Sequence, residues 1–339
     1  TPILMLSLRE PRAIRLAIWC LALTTLISSL VLILDVVLKT HLVSTTEAAT
    51  GARTSGGFNR SSGASQANPT TAATMMLCGT IVALVHAIES PRARRFMTLA
   101  AVLGTMATVL SFSRSAFLTY MMVLFALGLR YGRHRHFGSA AVLGGIALIA
   151  MLPFVPAQYY GRIATIFSSN SGDWTLGRRL TYNLIGLELL RQNPLLGIGP
   201  GNFYSEFTDP AYRFLPGRTL GGRQLHNMYL SIAVEYGLVG ISVFLALVFQ
   251  AFKACSRVAA APARPEYGPL AVALYYGMLA YFLNCLFLPS EYIKYTWLLP
   301  ALAGALALAN QAADRHGVTA TRPPGTAPSG APRPLARQG

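Results

Sequence analysis

Between residues 96 and 129 the chain runs for 34 residues with a single charge, Arg114. Wound as one helix, this stretch would be about 51 Å long at about 1.5 Å per residue, against a hydrocarbon core of about 30 Å. It is too long for one crossing. Arg92, Arg94 and Arg95 precede it and Arg130, Arg133 and Arg135 follow it. Basic clusters favour the cytoplasmic side, so two positive ends call for an even number of crossings. The stretch therefore reads as a transmembrane hairpin, with "SFSRSAF" turning at 113–115 and Arg114 at the far membrane surface.

The same reasoning extends along a chain that is 53% hydrophobic and only 12% charged. Apolar runs near the roughly 20 residues needed to cross a bilayer place spans at 14–38, 70–89, 96–112, 115–129, 138–156, 227–252, 268–288 and 292–311. The fold class is an all-α polytopic membrane protein with about eight transmembrane helices in this fragment. Arg9, Arg12 and Arg15 precede the first span, Lys253, Arg257 and Arg264 follow the sixth, and Arg315 follows the last. Both ends are thus expected to be cytoplasmic. The opening "TPILMLSL" reads as the tail of an interrupted apolar segment, so earlier helices are expected upstream. No cleavable signal peptide is evident. Residues 1–156 form five spans with outer loops at 39–69 and 113–115. Residues 157–226 form an outer segment and 227–311 three more spans. The Pro-, Gly- and Ala-rich tail, 312–339, is expected to be disordered. Cys20, Cys78, Cys255 and Cys285 lie in or beside spans without metal-ligand spacing and read as buried small residues.

The outer segments carry ten arginines: Arg53, Arg60, Arg114, Arg162, Arg178, Arg179, Arg191, Arg213, Arg218 and Arg223. The orientation rule disfavours them there, and a planar, permanently charged fork suits phosphate. A solvated-loop reading competes for any single one of them. As a group they suggest an anionic, phosphorylated ligand at the outer face. Within this region "GRRLTYNLIGLELLRQNP" sets Leu180, Leu184, Leu187 and Leu190 on one stripe and stops at Pro194. It reads as an amphipathic helix on the membrane surface, opened by Arg178 and Arg179. The glycines of "PLLGIGPGNFY" do not fit a dinucleotide fingerprint and read as a tight turn.

His226 stands at the mouth of the sixth span in "QLHNMYLSIAVEYGLVG". A helix start disfavours the imidazolium and keeps a neutral base available, although a solvated or capping histidine would occupy the same place. Asn227 would cap the helix or bond a hydroxyl. Glu235 falls on the opposite helical face and needs some other partner. Asp35 and Asn284 read as polar groups in helix packing. His134 and His136 read as surface charge in a basic turn. No Asp-x-Asp, H-E-x-x-H or phosphate-loop motif occurs, so no metal, nucleotide cofactor or nucleic-acid partner is expected.

Four stretches together resemble the O-antigen ligase family, which shares its core with O-antigen polymerases and bacterial O-linked oligosaccharyltransferases. "HNMYLSIAVEYGLVG" is similar to its pattern of His, a polar residue, nine residues, Gly, two residues and Gly, here His226, Asn227, Gly237 and Gly240. "RRLTYNLIGLELLRQNPLLGIGPGNF" resembles its Arg-bearing amphipathic segment, "SFSRSAF" its Ser-Arg helix end, and "RSSGASQANPTTAA" a weaker Arg-x-x-Gly…Asn-Pro motif. The family segment often has Trp where this chain reads "TYN".

The resemblance implies a GT-C-like fold of about twelve spans in the bacterial inner membrane, with its active site facing the periplasm. It implies metal-free, inverting transfer of a glycan from undecaprenyl pyrophosphate to a sugar hydroxyl of lipid A-core. By position, His226 would be the base, and Arg114 with Arg179 or Arg178 would hold the pyrophosphate. Arg60 would be a further donor contact, and Asn227, Gly237 and Gly240 would support the site. Pyrophosphate is already a good leaving group, so neutralising its charge and deprotonating the acceptor suffices. The same donor chemistry would serve a polymerase or a protein oligosaccharyltransferase. A non-enzymatic transporter of lipid-linked glycan is the remaining alternative, and it would leave His226 without a clear role.

Overall fold

The structure is a computed structural model that describes residues 11–40, 42–43, 60–65, 68–132, 138, 174–212, 214–215 and 222–320. These residues form helices and no strand. In chain order the helices are α1 Pro11–Leu38, α2 Pro69–Glu89, α3 Arg94–Leu110, α4 Arg114–Tyr131, α5 Trp174–Gln192, short α6 Phe203–Glu206, α7 Met228–Ala260, α8 Tyr267–Asn284 and α9 Lys294–Ala320. Among the described residues, four segments are long and apolar enough to cross a membrane: Arg12–Leu38, Pro69–Glu89, Met228–Ala260 and Tyr267–Phe287. The chain is therefore a multi-pass membrane protein. Helices occupy seven of the eight expected span positions, α3, α4 and α9 among them. The fifth, at 138–156, lies outside the described residues but for one position.

Two expectations are corrected. The last helix does not stop at 311 but continues to Ala320, with no proline to end it before Pro323. The tail beyond 320 lies outside the described residues. Cys20 is exposed, whereas Cys78, Cys255 and Cys285 are buried.

The sequence places a hairpin at 113–115, and the chain turns there. Phe112 adopts φ 52°, and the Ser113 hydroxyl accepts from the Ala116 amide at 3.4 Å to start α4. Thr105 and Tyr120 then meet across the hairpin at 2.6 Å. Helix α2 is the hub, packing against α1, α3 and α8. Close approach comes from small residues, as expected where lipid supplies no hydrophobic drive between helices. A side chain at Gly277 of α8 would come within 2.4 Å of Val82 in α2.

Polar contacts mark the two ends of this bundle. At one end Arg15 pairs with Glu266 at 3.5 Å, Tyr131 donates to Glu89, and the Ala263 amide donates to Asn310 at 2.7 Å. At the other end Asn284 donates to Thr74 at 2.6 Å and accepts from Thr119 at 3.2 Å, tying α8 to α2 and α4. Asp35 accepts from Ser61 and from the Leu42 amide at 2.8 Å, which pins 60–65 to the top of α1. Asn284 packs helices together, as its sequence context suggests, whereas Asp35 instead ties α1 to the non-helical chain at Leu42 and Ser61.

Helix α7 is broken. Gly237 sits at φ 68°, ψ −173° inside it. The rings of Tyr229 and Phe244 nevertheless lie 6.2 Å apart, although fifteen residues of straight helix would separate them by about 22 Å. The arms 228–236 and 238–260 therefore bend sharply towards one another. The first arm covers the end of the bundle, with Met228 and Ile232 in the main core. Its other side, with Val234, lies under α5 in a separate cluster with Tyr182, Ile185, Leu189, Phe203, Phe207 and Leu225.

Candidate functional site

The break in α7 is held open by the glycine-rich turn that follows α5. Bending frees the carbonyls of Val234 and Glu235 and the amides of Leu238 and Val239, which in membrane surroundings need new partners. Residues 194–199 supply them. Ile198 N donates to Val234 O at 3.0 Å and Gly199 N to Glu235 O at 2.9 Å, while Leu238 N donates to Pro194 O at 2.8 Å and Val239 N to Leu195 O at 3.3 Å. Any side chain at Gly237 would strike Leu195 O at 2.1 Å, and one at Gly197, at φ 72°, would strike Val234 O at 2.5 Å. The glycines of "PLLGIGPG" and of the His-containing motif are thus two halves of one joint. It fixes α5, with Arg179, against the arm that begins at His226.

Asn227 caps that arm, its Oδ1 accepting from Tyr229 N at 3.0 Å and Leu230 N at 3.2 Å. His226 precedes the cap, outside the helix. Its ring stacks on Tyr182 of α5 with centroids 5.9 Å apart and 25° between planes, and Tyr182 in turn meets Phe207 edge-on. Nδ1 is buried without a hydrogen-bond partner, yet the residue is only half-buried, so the edge carrying Nε2 is the open one. The imidazole pKa is lowered from the ordinary 6.5 to about 4, first by burial, then by the charges of Arg179 and Arg223. Histidine here is neutral at physiological pH and flanked by two cations.

Arg179 is half-buried on α5, three residues before Tyr182 and so on the same face. The side chain of Arg178 lies outside the described residues. Arg114 begins α4, half-buried, where helix amides and dipole favour an anion. Arg60 is buried and braces the same corner, donating Nε to Ser111 O and Nη2 to Thr70 Oγ1, each at 3.2 Å. Arg191 is committed to Glu188 through contacts of 2.9 and 2.8 Å. The structure therefore brings Arg179, Arg223 and His226 together. It also seats Arg60 beneath the turn that carries Arg114, at the same end of the bundle.

The leucine stripe of α5 faces away from the protein. Leu180, Leu184 and Leu187 are exposed, and Thr181, Tyr182, Ile185 and Leu189 are buried instead. Each of the buried apolar residues contributes about 1.5–3 kcal/mol to fixing α5 on α7.

Sequence reasoning missed the acidic side of this end. Glu291, between α8 and α9, accepts from Ser231 Oγ at 2.7 Å. Glu235 accepts from the Tyr292 hydroxyl at 2.6 Å, which supplies the partner its position required. The signal was present in "PSEYIKYTW", an acid among aromatics between two spans, but the residues it meets lie about sixty positions upstream.

The described residues thus form a polytopic helical membrane protein with a neutral histidine set beside two arginines at one end of the bundle. Residues 99–245, which hold Arg114, Arg179 and His226, match the family model described as O-antigen ligase. The chain is also similar to the exopolysaccharide production protein ExoQ of Rhizobium meliloti (strain 1021), at 29% identity over 119 residues. That match covers 34% of this chain and only 26% of the relative's length. Residues 99–245 of the chain are thus similar to the O-antigen ligase family.

Proposed function

We propose that this chain transfers a glycan from undecaprenyl pyrophosphate to a sugar hydroxyl of lipid A-core at the periplasmic face of the bacterial inner membrane. The observation that carries this reading is the neutral, half-buried His226 beside Arg179 and Arg223. His226 Nε2 takes the proton of the acceptor hydroxyl as its oxygen attacks the anomeric carbon. The bond from that carbon to the phosphate oxygen breaks on the opposite side, and its electron pair leaves with the pyrophosphate. Inversion follows from this geometry. Arg114 and Arg179 neutralise the growing charge. Arg60 holds the Arg114 turn in place, and Asn227, Gly237 and Gly240 hold the arm that presents the base. Arg178 is a further candidate for the pyrophosphate.

A second reading keeps the donor and changes the acceptor to another lipid-linked glycan, as in a polymerase. The likeness to an exopolysaccharide production protein favours it. The test uses purified protein in nanodiscs with a synthetic undecaprenyl pyrophosphate-linked oligosaccharide, alone, with lipid A-core, or with a serine peptide. Transfer to lipid A-core by the wild type, reduced about 10²–10⁴-fold in His226→Ala, is the expected result. Elongation of the donor alone selects the polymerase, and transfer to the peptide selects an oligosaccharyltransferase. Undiminished transfer by His226→Ala rejects the mechanism, and no transfer in any arm leaves the transporter.

A further inference from the structure

Resting on the transfer reaction above, we infer that Glu291 heads a subsite for the hydroxyl groups of the acceptor sugar. Glu291 is only 6% exposed. One carboxylate oxygen accepts from Ser231, while the other, Oε2, is buried and has no hydrogen-bond partner. Leaving such an atom unsatisfied is costly, and a saccharide offers hydroxyl donors that would satisfy it. Burial, with Glu235 adding to it, raises the carboxyl pKa, which further favours a hydrogen-bonding ligand over an anion.

The surroundings suit a carbohydrate. Trp297 donates its indole Nε1 to the Glu291 carbonyl at 3.0 Å and keeps 41% of its surface exposed, while Tyr292 keeps 57%. Amphipathic rings beside a carboxylate offer an apolar face together with polar contacts that fix orientation. Charge divides the labour. Phosphate is drawn to Arg179 and Arg223 beside His226, which leaves the side of Glu235 and Glu291 to neutral hydroxyls. Ser231, which orients Glu291, lies in the first turn of the arm that His226 and its cap Asn227 precede. Glu291 also lies outside the matched segment 99–245, as suits a contact that distinguishes acceptors rather than one that handles the donor.

The experiment is a two-substrate titration of purified full-chain protein in nanodiscs, with undecaprenyl pyrophosphate-linked oligosaccharide as donor and lipid A-core as acceptor. Glu291→Gln should raise the acceptor KM about tenfold or more and leave the donor KM within about twofold. Ser231→Ala should raise the acceptor KM by less. If Glu291→Gln does not accumulate in the membrane, Ser231→Ala carries the same split. If the wild type elongates its donor instead, the glycan released from its lipid replaces lipid A-core in the titration. An unchanged acceptor KM, or a donor KM that rises in parallel, overturns the subsite. His226→Ala in the same assay keeps the failures apart. Full activity there sinks the transfer mechanism, whereas its loss with an unmoved Glu291→Gln sinks only this inference.

Discussion

In the proposed reaction His226 is a base whose strength depends on what occupies the neighbouring arginines. In the free protein its pKa lies near 4 because burial and the charges of Arg179 and Arg223 disfavour the imidazolium. A pyrophosphate docked on those arginines cancels the second and third causes, so the base strengthens when the donor arrives. The acidic limb of kcat/KM, which reports the free enzyme, should therefore fall well below pH 6.5, and the limb of kcat should lie above it. Replacing Arg179 with Gln removes one cation and should move the kcat/KM limb upward. A limb at 6.5 in the wild type, or one unmoved in Arg179→Gln, would contradict this assignment. Stability follows the same sign. The unfolded chain binds the proton at 6.5 and the folded chain only near 4, so His226 costs stability as pH falls through that window. His226→Gln should abolish that part of the pH dependence in thermal unfolding in detergent.

At the scale of elements, the joint between the turn 194–199 and Gly237 decides whether Arg179 faces His226. Gly237→Ala forces a side chain into a left-handed conformation, costing about 1–2 kcal/mol, and drives it into the Leu195 carbonyl. A displacement near 1 Å can cost about 10²-fold in rate, so Gly237→Ala and Gly197→Ala should each lower kcat by tenfold or more. Gly138→Ala, where a side chain meets nothing within 4 Å, should leave it unchanged. Equal kcat in all three would show that the joint does not position the site. Much of this was legible in advance. Hydropathy and arginine placement located the helices and the turn at Ser113, because span length and charge act locally. The bend at Gly237 was hidden, since a glycine in an apolar run reads as helix until its carbonyl partners, about forty residues upstream, are known. The leucine stripe of α5, read as lying on the membrane, is indeed exposed, but its protein-facing side was hidden for a similar reason. Periodicity marks an apolar stripe but not whether protein or lipid covers it, and Tyr182 and Ile185 proved to be the protein side. Glu291 was visible as an acid, but its role depends on Ser231, sixty positions away.

For the whole molecule, the contacts sort charge by end. Glu89, Arg15 and Glu266 stay at the end of the bundle away from His226. Arg60, Asn284, Glu291 and the first arm of α7 share the other. This sorting requires the turn after α8 to lie on the same side of the membrane as the segment from α5 to α7, with the turn between α7 and α8 opposite. The prediction can be checked in spheroplasts with a membrane-impermeant maleimide, on a background in which the four native cysteines are replaced. Ser205→Cys, in α6, and Leu286→Cys, in the turn that follows α8, are at exposed positions and should both label from outside. Ala263→Cys, exposed between α7 and α8, should label only after permeabilisation. Labelling of Ser205→Cys and Leu286→Cys from opposite sides would separate His226 from Glu291 across the bilayer, and neither donor nor acceptor could then be brought to one site.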